Sequence, residues 1–131
     1  FGLIHYDFEL DNIIWRNDEP VAIDFDDCAY YWYAADVAYA LRDLFDDKAG
    51  NISLDDPGFR LFVSGYREAR DLPEAELRHL PLFLRFHHFV SLATIRRALT
   101  PPVADEPEWA SDLRRRLATE AEEIRETVLT W

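Results

Sequence analysis

The spacing of hydrophobic residues changes from a strand-like to a helix-like pattern about a quarter of the way along the chain. Residues 12–16 and 21–25 are rich in β-forming side chains and enclose the polar segment 17–20, which predicts a β-hairpin. After the hairpin, apolar residues recur every three or four positions over about 33–47, which predicts a helix with one buried face. The residues of that face are Ala34, Val37, Ala38, Leu41, Leu44 and Phe45.

Prolines mark the starts of three further helices. A loop is predicted over 48–56, and the expected helices run from Asp56-Pro57, from Pro73-Glu74 to about Leu99, and from near Pro107 to the end. The second of these is broadly apolar and is expected to be central, and Pro101-Pro102 ends it. The pattern predicts a mainly α protein with a small β-hairpin (α+β), folded as a single domain over 1–131 with a bundle of about four helices.

Composition and charge narrow the classes of function. The chain of 131 residues is 49% hydrophobic and 31% charged, without an apolar run long enough to cross a membrane. Cys28 is the only cysteine, so no internal disulfide is expected and a cytoplasmic protein is the default. The net charge of −12 argues against a nucleic-acid partner, whose phosphates require a basic face.

Several acidic residues occur in apolar and aromatic surroundings, where carboxylates need cations, metal ions or hydrogen bonds. Asp7 follows an apolar run in the sequence His5-x-Asp7, Asn12 comes five residues later, and Asp24 ends the second predicted strand. A hairpin that folds back would bring Asp7, Asn12 and Asp24 together. Asp26 and Asp27 come shortly after Asp24, and three roles are open for them. They are acids that support the metal ligands, contacts for the substrate, or solvated residues at the end of the hairpin.

This set of side chains fits phosphoryl transfer, whose catalysis consists mostly of positioning and charge neutralisation by Mg²⁺. Magnesium prefers a few oxygen ligands together with water and nucleotide phosphates, and Asn12 and Asp24 suit that role. Asp7 is then available to orient the attacking hydroxyl and accept its proton.

The segments LIHYDFELDNIIW, VAIDFDDC and WYAADVAYAL resemble the catalytic-loop and metal motifs of the protein-kinase-like superfamily, in the branch of aminoglycoside phosphotransferases and choline kinases. The resemblance implies that Asp7 is the catalytic base and that Asn12 and Asp24 bind Mg²⁺ with ATP. It implies that Asp36 is hydrogen-bonded to the backbone of the catalytic loop. His5 is expected to brace the loop rather than to transfer protons.

Departures from the protein-kinase pattern favour a small-molecule kinase. Tyr6 stands where protein kinases have Arg, Asp26 replaces the Gly of the Asp-Phe-Gly motif, and no activation-loop motif follows. A Gly-rich loop and a strand lysine for the phosphates are missing, so the chain is expected to be a C-terminal lobe without its N-terminal nucleotide-binding lobe. Residues 1–32 would form the catalytic loop and metal-site hairpin, and 33–131 a helical subdomain. The 131-residue chain is expected to be inactive on its own.

Three functions remain in competition. The first is transfer of the γ-phosphoryl group of ATP to a hydroxyl of a small molecule, for which the acidic front half favours an amino- or ammonium-bearing acceptor. The second is a non-catalytic binding or dimerisation module derived from a kinase lobe, with a homodimer formed through its exposed surface. The third is a metal-dependent phosphohydrolase using His5, Asp7 and Asp24, which would require more histidines at ligand spacing.

Two further groups allow alternative interpretations. His87 and His88 are adjacent on a predicted helix and point in different directions, which favours a hydrogen-bonded pair over a metal site. The aromatic run 30–33 fits core or lobe-interface packing better than a cage for a cationic ligand.

Overall fold

The computed structural model describes residues 1–42, 53–99 and 105–131, and within them the chain is mostly helical with two small antiparallel sheets. This confirms the expected mixture of helices and a minor β component. The strands are β1 Gly2–Ile4, β2 Ile13–Arg16, β3 Glu19–Ala22 and β4 Ala29–Tyr31. The helices are α1 Tyr33–Leu41, α2 Pro57–Ala69, α3 Glu74–Leu77, α4 Leu80–Ala98 and α5 Glu108–Leu129, with a 3₁₀ turn at Leu10–Asn12. No helix in the described ranges has the length and apolar content needed to span a membrane.

The predicted hairpin is formed by β2 and β3, which pair antiparallel from Ile13↔Ala22 to Arg16↔Glu19. Its two turn residues, Asn17 and Asp18, have φ angles of 51° and 63°. This left-handed conformation matches the twist of a two-residue hairpin turn and is tolerated best by Gly, Asn and Asp. The second strand ends at Ala22 rather than at residue 25, because Asp24 has a φ of 61° that a strand excludes.

A second sheet, formed by β1 and β4, was not predicted. Gly2 pairs with Tyr31 and Ile4 with Ala29, so the segment before the catalytic-loop motif is joined to the one that follows the hairpin. A Cβ added to Gly2 would lie 1.9 Å from the Tyr33 hydroxyl oxygen, which explains the glycine at this position. Strands of three residues are too short for an alternating pattern to identify them.

The first of two compact units covers Phe1–Leu84 and has its core around α1. The buried residues of α1 are Ala34, Ala35, Val37, Ala38, Tyr39 and Leu41. They form one cluster with Phe59 and Val63 of α2 and with Leu72, Leu77, Leu80 and Leu84. The helix predicted over 33–47 is thus observed to Leu41, and its remainder, together with most of the loop predicted over 48–56, lies outside the described residues.

The start of α2 follows the capping rule. The Asp56 carboxylate accepts hydrogen bonds from the backbone N–H groups of Gly58 (2.7 Å) and Phe59 (3.1 Å), and Pro57 occupies the first turn. The predicted helix start at Asp56-Pro57 is therefore confirmed.

One predicted helix is in fact two. The apolar segment from Pro73 to Leu99 contains α3 and α4, separated at Arg78 and His79. Pro81, the second residue of α4, has no N–H to continue a hydrogen-bond ladder, and in a continuous helix its ring would clash with the carbonyl four residues earlier. Pro81 is compatible with the first turn of a new helix but not with the interior of a long one.

The second unit covers Arg85–Trp131 and contains most of α4 and all of α5. Helix α5 begins directly after Pro107, as predicted, and buries Ala121. Within this unit the Trp131 ring lies 5.7 Å from that of Phe89 and 5.6 Å from that of His88, measured between centroids. The break predicted at residues 101–102 lies outside the described ranges, and the single domain over 1–131 stays a prediction.

Candidate active site around Asp7

His5 ties the start of the catalytic-loop motif to the end of the hairpin. Its Nε2 donates to the Ile23 carbonyl at 2.9 Å, which places the ring proton on Nε2. The imidazole is buried and also packs against Phe25 and Phe8, with centroid distances of 4.6 and 5.5 Å. The side chain therefore braces the segment that leads to Asp24.

Asp36 in the first turn of α1 holds the loop from the other side. Its Oδ1 accepts the backbone N–H of Tyr6 at 2.9 Å, and Tyr6 itself has a φ of 73°. Burial raises the pKa of Asp36 above its usual range, and the backbone N–H groups of Tyr6 and His5 oppose that rise only in part. A helix carboxylate thus fixes the strained residue that precedes Asp7.

Asn12 and Asp7 form the centre of the arrangement. The Asn12 Nδ2 donates to the Asp7 backbone carbonyl at 2.8 Å and to Asp7 Oδ2 at 3.2 Å. Because both partners are acceptors, the amide orientation is fixed: the nitrogen faces Asp7, and Oδ1 points away from it. The 3₁₀ turn Leu10–Asn12 brings the two residues together in space.

Asp24 is connected to Asn12 through the backbone. The Ile23 N–H donates to the Asn12 carbonyl at 3.0 Å, so Asp24 follows directly after a residue bonded to Asn12. The Asp24 side chain is exposed, as are Asp26 and Asp27 in the turn that follows. The fold therefore brings His5, Asp7, Asn12 and Asp36 into one network. Asp24, Asp26 and Asp27 remain exposed to solvent outside this network.

Arg42 and Glu9 also belong to the network, although neither was predicted from the sequence. The Arg42 Nη2 donates to Asp7 Oδ1 and to Glu9 Oε2, each at 2.6 Å. Burial lowers the pKa of Arg42, but the hydrogen bonds to the two carboxylates outweigh it and raise the pKa above the usual value. The available signal was the arginine directly after buried Leu41 at the end of α1, in an otherwise acidic half of the chain.

The aromatic run 30–33 is divided between packing and exposure. Tyr31 contacts Phe83 and Trp32 through edge-to-face rings, and the Arg70 guanidinium lies 3.6 Å from the centroid of the Tyr33 ring. Tyr30 is exposed on β4. The observed ring contacts are thus with the chain's own side chains.

Residues 1–72 match the family model described as the phosphotransferase enzyme family, APH. The matched segment is more than half of the chain and contains every residue of the network around Asp7. The chain belongs to this family. The resemblance to aminoglycoside phosphotransferase-type kinases is thereby confirmed.

Two relatives extend the similarity beyond the matched segment. Amicoumacin kinase of Bacillus subtilis (strain 168) is 32% identical over 124 residues, which cover 88% of this chain and 36% of that protein. A solved structure of the amicoumacin kinase hAmiN in complex with AMP-PNP, Ca²⁺ and Ami superimposes with a TM-score of 0.60 at 27% identity, covering 93% of this chain and 37% of the other. The chain therefore spans a little over a third of the length of these relatives.

Proposed function

We propose that this chain is the C-terminal lobe of a longer small-molecule kinase, which transfers the γ-phosphoryl group of ATP to a hydroxyl of its acceptor. The family match supports phosphotransfer, and the complex of a relative with AMP-PNP supports an adenine nucleotide as donor. Residues 1–32 would supply the catalytic loop and hairpin, and 33–131 the helical part. The nucleotide-binding lobe would come from the part of the longer protein that this chain lacks. We place the protein in the cytoplasm, where ATP is abundant.

The observation that carries this proposal is the orientation of the Asn12 amide. Its Nδ2 is committed to Asp7, so Oδ1 is the atom left to face a cation. Oxygen from an amide is a suitable ligand for Mg²⁺, whereas the amide nitrogen is not. The same hydrogen bonds orient the Asp7 carboxylate, which would accept the proton of the acceptor hydroxyl.

We assign the divalent cation to Asn12 and Asp24, with Mg²⁺ as the ion. The residues fit the group, because one amide oxygen and one exposed carboxylate are the few protein ligands that Mg²⁺ uses beside nucleotide phosphates. Over the described ranges no group of three or more His, Cys, Asp or Glu is placed to hold a metal, so water and phosphate would complete the coordination. The ion supplies charge neutralisation at the transferred phosphoryl group.

The acceptor is proposed to carry an amine, and amicoumacin is the first compound to test. One relative is named for amicoumacin, and the front half of this chain is strongly acidic. Exposed Asp26 and Asp27 follow the proposed metal ligand and are the candidates for contact with a cationic acceptor.

The proposed function is tested by ATP turnover in the longer protein that contains this chain, with amicoumacin, an aminoglycoside and choline as separate acceptors. Wild type should phosphorylate at least one of them, and Asp7→Ala should lower kcat by roughly 10²- to 10⁴-fold, the usual contribution of a general base. Equal turnover in Asp7→Ala and wild type would remove Asp7 as the base. No turnover with any acceptor would count against the reaction itself.

A second candidate, a dimerisation module, is favoured by one surface. Phe1 and Leu3 on the β1 side and Tyr30 and Trp32 on the β4 side share one sheet face, and each is between 51% and 74% exposed. Such an apolar patch is typical of a contact with further protein. Light scattering of the 131-residue chain distinguishes the dimerisation module from the kinase lobe. A dimer that Tyr30→Ser and Leu3→Ser convert to a monomer would support the module. A monomeric wild type would support a face that is covered by the missing lobe.

A further inference from the structure

A single nitrogen of Arg42 joins two loop carboxylates. Nη2 contacts Asp7 Oδ1 and Glu9 Oε2 at 2.6 Å each, although Arg42 lies more than 30 residues away in sequence, at the end of α1. The three side chains are 19% to 33% exposed, so water screens their attraction less than it screens a surface ion pair. The contact therefore links the end of the buried helix α1 directly to the loop.

The loop itself places the two acids side by side. The Glu9 N–H donates to the Asp7 carbonyl at 3.1 Å, and the Asn12 N–H donates to the Glu9 carbonyl at 3.0 Å. Glu9 is thus held by its backbone between Asp7 and Asn12 while its side chain holds Arg42. Both hydrogen bonds leave one nitrogen of a planar guanidinium, whose N–H directions are set by its plane, whereas the three N–H groups of a lysine ammonium rotate freely.

We propose that Arg42 and Glu9 are positioning residues for the phosphoryl transfer: Arg42 holds Oδ1 of Asp7, and Glu9 holds Arg42. This inference rests on the function proposed above, in which Asp7 accepts the proton. With Oδ1 committed to Arg42, Oδ2 remains for the acceptor hydroxyl, since its contact with the Asn12 amide is longer, at 3.2 Å. The pair would act on the attacking hydroxyl through Asp7 and not on the binding of ATP.

The inference predicts a separation of kcat from KM. In the longer protein, Arg42→Lys and Glu9→Gln should each lower kcat by about 10- to 100-fold, the cost of a carboxylate displaced by about an ångström, with KM for ATP within about twofold of wild type. Glu74→Gln is the matched control, because Glu74 also pairs with an arginine, Arg67, at 3.0 Å on the surface of the same unit. Its kcat should equal that of wild type.

A double-mutant cycle separates positioning from structural support. If Arg42 acts through Asp7, Arg42→Lys should cause no further loss of kcat in an Asp7→Ala background. An equal loss in both backgrounds, or an increase in the KM for ATP alone, would overturn the inference. Glu9→Gln keeps the shape of the side chain and provides the same comparison should Arg42→Lys unfold the protein.

The same kinetic measurements distinguish failure of the proposed function from failure of the positioning role of Arg42 and Glu9. Wild type that phosphorylates none of the acceptors, amicoumacin included, overturns the proposed function and this inference with it. Wild type that is active, together with Arg42→Lys and Glu9→Gln variants of unchanged kcat, overturns only the positioning role.

Discussion

The hydrogen bond from Tyr6 to Asp36 is the contact whose loss should most clearly destabilise the loop that contains Asp7. Asp36→Ala removes the acceptor of the Tyr6 N–H, at 2.9 Å, and leaves this partly buried donor without it on a residue that has a φ of 73°. A hydrogen bond to a charged group contributes about 1.5 to 3 kcal/mol. Burial of the Asp36 carboxylate, which raises its pKa, offsets part of this contribution, so we expect the free energy of unfolding to fall by about 2 kcal/mol.

Urea denaturation of the 131-residue chain, followed by the fluorescence of its four tryptophans, measures this change. Asp36→Asn should recover about half of the loss, because the amide oxygen can still accept the Tyr6 N–H. Asp112→Ala is the control: Asp112 is exposed on α5 and pairs with Arg115, so its loss should change the free energy by less than about 0.5 kcal/mol. A free energy of unfolding for Asp36→Ala within about 0.5 kcal/mol of that of wild type would show that this hydrogen bond contributes little to stability.

Three further predictions concern stability. Asp56→Ala removes the cap of α2 and should lower the free energy of unfolding by about 1 kcal/mol in the same urea assay, with no loss if the cap is unimportant. Leu84→Ala at a fully buried position should cost about 2 to 5 kcal/mol, whereas Leu61→Ala on the exposed side of α2 should cost little; equal effects would contradict the assigned core. Burial raises the folded-state pKa of Asp36, so its stabilising contribution is complete below the unfolded pKa and declines as pH rises through the folded one. The stability of Asp36→Asn relative to wild type should therefore increase from pH 3 upward, and a flat difference between the two would contradict the raised pKa.

Local sequence patterns were sufficient to predict an element where its conformation depends on a few neighbouring residues. Asp56 followed by Pro57 started a helix, and the turn at Asn17 and Asp18 closed a hairpin, because capping and left-handed turn geometry depend on neighbouring residues. The same patterns did not predict the boundary between α3 and α4. The segment is apolar on both sides of Pro81, so it was predicted as one helix although a proline favours a helix start.

The candidate site was also predicted in part from the sequence. His5, Asp7 and Asn12 were identified from their spacing and Asp36 from the family resemblance. In the fold, Asn12 bonds to Asp7, Asp36 accepts the N–H of Tyr6 beside Asp7, and His5 donates to the Ile23 carbonyl. Their catalytic and metal-binding roles, and that of Asp24, stay predictions.

Helix α1, the starts of α2 and α5 and the β2–β3 hairpin could be predicted from the sequence, because each depends on residues a few positions apart. The residues that match the phosphotransferase family could be recognised as a motif, but the contact between Tyr6 and Asp36 joins positions 30 residues apart. The pairing of β1 with β4 and the contacts of Arg42 with Asp7 and Glu9 became visible only in the folded chain. Both contacts join residues about 25 to 35 positions apart, and such pairings depend on how the whole core around α1 packs. A hydrophobic pattern places a residue on the face of its own helix or strand, but it carries no information about which distant side chain will lie opposite.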